Sequence, residues 1–121
     1  MADNSKDAVA VVDDDVAVRD SLKFLLETAG HTVTTYSSAA AFLDHRGPRP
    51  ACLVVDYHMP RMTGLELAAQ LQQEGANIPL LLITGSVSPA IVANAARLGI
   101  GTVLEKPLNA NDLLKFVDTH F

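Results

Sequence analysis

One cysteine in 121 residues excludes an internal disulfide, and Cys52 lies inside an apolar run, the setting of a small core residue rather than a nucleophile. No apolar stretch approaches the roughly 20 residues that a bilayer-crossing helix needs. The polar opening Met1 to Asp7 leads into an apolar run of only Ala8 to Val12, too short for a secretory leader. A soluble cytoplasmic protein without membrane association is expected. Positive charge is also scarce: nine Lys and Arg against 14 Asp and Glu leave a net charge of −5. No basic stripe tracks a phosphate backbone, so direct nucleic-acid contact by this segment is not expected. Neither a glycine-rich fingerprint nor a Walker sequence follows the first apolar run, which argues against nucleotide-binding enzymes of similar topology. His31, His45 and His120 show no metal-ligand spacing.

What the chain does have is a hydrophobic fraction of 49%, enough for one core that buries roughly two-thirds of the surface exposed on unfolding. Its apolar runs end in a consistent way. Ala8 to Val12 stops on Asp13-Asp14-Asp15, Ala51 to Val55 on Asp56, Leu80 to Ile83 on Thr84, and Thr102 to Leu104 on Glu105-Lys106. The second run is apolar without alternation, as in a strand covered by helices on both faces. If the runs are parallel strands of one sheet, their carboxyl ends share a crevice where open α/β sheets bind ligands.

Helical spacing fills the intervals between the runs. Val18, Leu22, Leu25, Leu26 and Ala29 form a first face that stops at Gly30, with Asp15 suited to cap it. Thr32 to Tyr36 reads as an edge strand, and Ser37 or Ser38 can cap a helix over Ala39 to Leu43 that Gly47-Pro48 closes. Thr63 and Glu66 have capping-box spacing ahead of Gly64, Leu67, Ala68 and Leu71, with a stop at Gly75. Ser88-Pro89 starts a fourth helix with Val92, Ala95, Ala96 and Leu98 facing inward up to Gly99, and Asn109 caps a fifth carrying Leu113, Phe116 and Val117. The alternation predicts a single domain over 1–121, with its core at about 7–120. Its fold class is a doubly wound α/β sheet of five parallel strands.

A lone aspartate, threonine or lysine at a strand end is usually a cap or a solvated surface group. Four complementary strand ends are hard to obtain from independent surface choices. Asp13, Asp14 and Asp56 form a hard-oxygen set that suits Mg²⁺, and Asp56 could accept a phosphoryl group as a carboxylate nucleophile. Lys106 could supply positive charge opposite the phosphoryl oxygens, Thr84 a hydrogen bond, and Gly85 close backbone approach. His58, two residues beyond Asp56, reads as a surface loop histidine.

These stretches resemble a bacterial response regulator receiver domain: Val11-Val12-Asp13-Asp14-Asp15, Val54-Val55-Asp56-Tyr57-His58-Met59-Pro60 with Gly64 beyond, Ile83-Thr84-Gly85 and Glu105-Lys106-Pro107. The stretch Val11 to Leu22 and Ile83-Thr84-Gly85 are most similar to receivers of nitrogen-fixation type transcription regulators. The resemblance implies a flavodoxin-like strand order of 2-1-3-4-5. It implies that Asp56 takes a phosphoryl group from a sensor histidine kinase or phosphotransfer protein, and that the domain catalyses its own phosphorylation and hydrolysis. It also implies Mg²⁺ held by Asp13, Asp14, Asp56 and the backbone carbonyl of His58, a cis Lys106-Pro107 bond, and possible homodimerisation through the fourth helix, fifth strand and fifth helix. In that family Thr84 moves toward the phosphoryl group while an aromatic residue three before the lysine swings inward. Val103 stands at that position here, and a β-branched side chain has no ring to swing. A haloacid-dehalogenase-like phosphatase with Asp13 as nucleophile is the competing enzyme reading, but it gives Asp56 no role and lacks an acidic motif after Lys106. A receiver-like interaction module that is never phosphorylated is the other. The chain is expected to be either a complete single-domain regulator or a piece of a longer one.

Overall fold

The computed structural model describes residues 8–45 and 49–121. Five strands alternate with five helices: β1 (Val9–Val12), α1 (Val16–Thr28), β2 (Val33–Tyr36), α2 (Ala39–Asp44), β3 (Cys52–Asp56), α3 (Gly64–Gln73), β4 (Leu80–Thr84), α4 (Pro89–Arg97), β5 (Thr102–Glu105) and α5 (Ala110–Thr119). The strands form one parallel sheet in the order β2-β1-β3-β4-β5, the flavodoxin-like order.

Strand alternation sends successive side chains to opposite faces, and each face has its own core. Val9, Val11, Val54, Leu81 and Ile83 meet Leu22 and Leu26 of α1 and Leu113 and Val117 of α5. Ala10, Val12, Leu53, Val55 and Leu82 meet Phe42 of α2, Leu67 and Leu71 of α3, and Ala95 of α4. With helices on both faces, the strands β1, β3 and β4 are buried along their whole length. Cys52 is fully buried within β3, and burial pushes its thiol up to about 12, consistent with an inert core residue.

The helix starts follow side-chain chemistry. Asp15, Ser38, Thr63, Ser88 and Asn109 each accept hydrogen bonds from first-turn amides, and Thr63 with Glu66 makes a reciprocal capping box. After α3 and α4, Gly75 and Gly99 adopt φ of +74° and +77°, a left-handed turn that glycine enters without a Cβ penalty. Helix α4 departs from the spacing read in the sequence. Its inward stripe is Ile91, Ala95 and Leu98, while Val92 is 45% exposed and Ala96 is also exposed. The stripe is thus set by Ala95 with its i−4 and i+3 neighbours. The proposed stop for α2 at Gly47-Pro48 lies outside the described residues; the helix itself ends at its C-cap His45.

Gly64 couples this frame to the site. The first residue of α3 packs so tightly on the sheet that an added Cβ would lie 2.6 Å from the Asp56 backbone oxygen and 2.7 Å from Leu82 Cδ1. Gly64→Ala is expected to lower stability by about 1–3 kcal/mol through overpacking, read by chemical denaturation. Gly85→Ala, where a Cβ meets nothing within 4 Å, should stay within about 0.5 kcal/mol of the parent.

Candidate functional site: an acidic crevice at the carboxyl edge

The register fixes which residues meet. Val12 pairs with Val55, Asp56 with Ile83 and Thr84 with Glu105, so the residues just beyond β1, at the ends of β3 and β4, and just beyond β5 share one rim. Backbone hydrogen bonds tie the rim together, with Tyr57 N–H donating to Ile83 O at 2.7 Å and Lys106 N–H to Thr84 O at 2.9 Å.

Oxygen atoms of Asp13, Asp14 and Asp56 lie within 4.8 Å of one another. Asp13 and Asp56 are only 1% and 4% exposed, whereas Asp14 faces solvent. Among the described residues Lys106 is the single ammonium paired with this group, its Nζ lying 3.3 Å from Asp56 Oδ1 and 3.6 Å from Asp13 Oδ2. Among the described residues those same two buried oxygens accept no hydrogen bond of good geometry. Buried anionic oxygens without donors are costly, and three carboxylates against one ammonium leave the pocket negative. Both features suit a divalent hard cation, which such oxygens would hold directly.

The electrostatics follow from burial. Burial raises the Asp13 carboxyl above the ordinary range, with help from Asp56 and Asp14 and against the Asp15 backbone amide and Lys106. Burial likewise raises Asp56, opposed by Lys106 and the His58 backbone amide. For Lys106 burial acts downward, yet Asp13 and Asp56 together outweigh it and hold its ammonium above the usual lysine value.

The other sequence-predicted residues sit around this centre in different ways. Thr84 is fully buried, and its hydroxyl is engaged within its own loop, donating to Ser86 O at 3.1 Å and accepting from Ser86 N–H at 3.3 Å. Gly85 is exposed on the same loop. The His58 ring is exposed and lies edge-on to Tyr57, with ring centroids 4.7 Å apart. Val103 is half-buried against the α2-α3-α4 side of the core. The Lys106-Pro107 peptide is cis. Asp15 spends its carboxylate on capping α1, accepting from the Ala17 and Val18 amides.

Three residues at this rim had no assigned role in the sequence reading. Arg19 Nη1 donates to the backbone oxygen of Asp13 at 2.7 Å; its place one turn beyond the Asp15 cap was a visible signal. Glu105 accepts from Val87 N–H at 3.0 Å, linking β5 to the β4-α4 loop. Arg61, in the loop after β3, has φ of +72°, and no sequence pattern announced that conformation for an arginine.

Carboxylates and an ammonium gathered at this rim of a doubly wound fold match a receiver, a class of protein that accepts a phosphoryl group on aspartate in two-component signalling. The chain belongs to the response regulator receiver domain family, whose pattern matches residues 9–118. It is similar to the transcriptional regulatory protein FixJ of Azorhizobium caulinodans, with 45% identity over 102 residues, covering 84% of this chain and 48% of that protein. The FixJ of Bradyrhizobium diazoefficiens is 37% identical over 116 residues, covering 95% of this chain and 57% of that one. These relatives agree with the nitrogen-fixation type of the sequence motifs. A crystal structure of FixJ-N superposes with a TM-score of 0.82 at 34% identity, covering 99% of this chain and 94% of that one. The chain spans about half the length of these two curated relatives.

The raised carboxyls have a consequence for stability. Between the ordinary carboxylate value of 3.8 and their higher folded values, Asp13 and Asp56 bind more protons folded than unfolded. Their contribution therefore falls as pH rises through that window. Melting of the metal-free protein should show this loss from about pH 4 upward, and saturating Mg²⁺ should flatten it by relieving the repulsion.

Proposed function

We propose that Asp56 is the phosphoacceptor of this receiver, served by Mg²⁺ on Asp13, Asp14, Asp56 and the His58 backbone carbonyl. The observation that carries this reading is the pair of buried oxygens, Asp13 Oδ2 and Asp56 Oδ1, that share one ion-pairing ammonium, Lys106, and among the described residues accept no hydrogen bond of good geometry. An Asp56 oxygen attacks phosphorus of a phosphohistidine on a sensor histidine kinase or phosphotransfer protein. The O–P bond forms as the N–P bond breaks, and the imidazole leaves with the bonding pair. Attack requires ionised Asp56, which burial disfavours; Lys106, 3.3 Å away, favours the ionised form and then faces the transferred oxygens. Bound Mg²⁺ supplies the remaining positive charge that phosphoryl transfer demands. Water later attacks the same phosphorus, the Asp56 O–P bond breaks and inorganic phosphate leaves, which returns the carboxylate; the domain thus catalyses both halves of its own switch.

Thr84 is the responding residue. Turning its hydroxyl to the phosphoryl group gives up both bonds to Ser86 and frees the β4-α4 loop, in which Gly85 lets the backbone close on the same oxygens. With Val103 in place of a ring, the change spreads through this loop and its Glu105–Val87 tie rather than by an aromatic swing. The face formed by α4, β5 and α5, where Val92 is exposed, is the candidate homodimer surface. The setting is the cytoplasm, and residues 1–121 act as one receiver unit without touching nucleic acid.

Phosphoramidate labelling with Mg²⁺, read by intact mass, tests the assignment. One phosphoryl group is expected on the parent and none on Asp56→Asn, while Lys106→Ala should slow the reaction about 10²–10³-fold. A label that survives Asp56→Asn but is lost with Asp13→Asn would instead support the phosphatase-like nucleophile.

A further inference from the structure

We propose that Arg19 is a positioning residue for the Mg²⁺ site, acting through the peptide that joins Asp13 to Asp14. The inference rests on the metal reading above. That peptide connects two of the three clustered carboxylate residues, so its orientation governs how both side chains enter the pocket. Its carbonyl oxygen is held by Arg19 Nη1 at 2.7 Å. The opposite end of the segment is fixed by Asp15 N–H donating to Asp13 Oδ1 at 2.9 Å and by Arg19 N–H donating to Asp15 O at 3.0 Å. Side chain and backbone of Arg19 thus close the turn from β1 into α1 around Asp13.

The choice of acceptor is informative. The Arg19 guanidinium sits at the Asp13 carbonyl, in a turn with three consecutive carboxylate residues, groups whose geometry a guanidinium matches well. Yet among the described residues Arg19 forms no ion pair, and the only cation paired with the trio is Lys106. Arg19 binds the neutral carbonyl instead. It orients the doublet without occupying an oxygen that a metal would use, leaving Asp13 Oδ2 with Lys106 as its one charged neighbour among the described residues. Partners that orient metal-binding groups in this way typically contribute 10–100-fold to affinity.

The sign of the effect separates this role from simple charge. Removing a cation beside a metal site should strengthen Mg²⁺ binding if Arg19 acts only by repulsion, and weaken it if Arg19 acts by orientation. Calorimetric Mg²⁺ titration of Arg19→Gln is expected to show about tenfold weaker binding. The Asp14 backbone ¹⁵N resonance, which reports on the same peptide, should shift in the metal-free protein. Arg19→Lys, which keeps the charge and one donor but not the planar reach, should fall between parent and Arg19→Gln. Unchanged or tighter binding by Arg19→Gln overturns the proposal, as does weakening in both variants that only parallels their loss of melting temperature. If Arg19→Gln does not fold, Arg19→Lys alone decides: parent-like binding with an unmoved Asp14 resonance rejects the role. A parent protein that does not bind Mg²⁺ removes the metal reading and this inference together, whereas a parent that binds normally beside an unaffected Arg19→Gln removes only the inference.

Discussion

An uneven balance of charge at the carboxyl edge of the sheet governs this protein. Among the described residues two nearly buried carboxylates and a third at the rim face one ammonium, so two buried oxygens are left without a hydrogen bond. A stable domain could have neutralised them with a second lysine or an arginine. Here the nearby arginine is turned to a backbone oxygen instead. The deficit is the functional property: a site that fully paired its own carboxylates would have little affinity left for an external cation or for a phosphoryl group.

Everything else in the fold serves to maintain that imbalance against its tendency to relax. Parallel strands buried on both faces cannot slide in register without exposing whole rows of valine and leucine, so Asp13 and Asp56 cannot drift apart. Tight seating of Gly64 against the Asp56 carbonyl fixes the end of β3, and the Lys106 N–H bond to Thr84 fixes the ammonium's stem. Rigidity here comes from packing and ladder bonds, which leaves the ionisable side chains free to answer a ligand.

Much of this was legible in the sequence because the same residues report twice. Val9 to Val12, Cys52 to Val55 and Leu80 to Ile83 are apolar without alternation, which gives both strand and double-sided burial, and each terminates on a residue with chemistry. Thr63 with Glu66, and Ser88 with Pro89, mark helix starts through donors and a fixed φ. Less was legible where several residues of one helix are almost equally apolar. In α4 the alanines and Val92 differ too little for periodicity to tell which stripe faces inward, and only contact with the sheet selects Ile91, Ala95 and Leu98. The bond from Val87 N–H to Glu105 depends on where distant segments meet, the choice of the Asp13 carbonyl by Arg19 on how the β1-α1 turn folds, and the positive φ of Arg61 has no compositional trace.

The two helices that follow the central strands β3 and β4 differ in how deeply they are anchored. Helix α3 places Gly64, Leu67, Ala68 and Leu71 in the interior, but α4 has Ala95 alone fully buried. Displacing α4 therefore uncovers little nonpolar area, whereas displacing α3 would open the interior. Within that face of the sheet the molecule is mechanically lopsided, stiffer at α3 and more compliant at α4. Deformation at the rim meets less packing resistance at α4 than at α3.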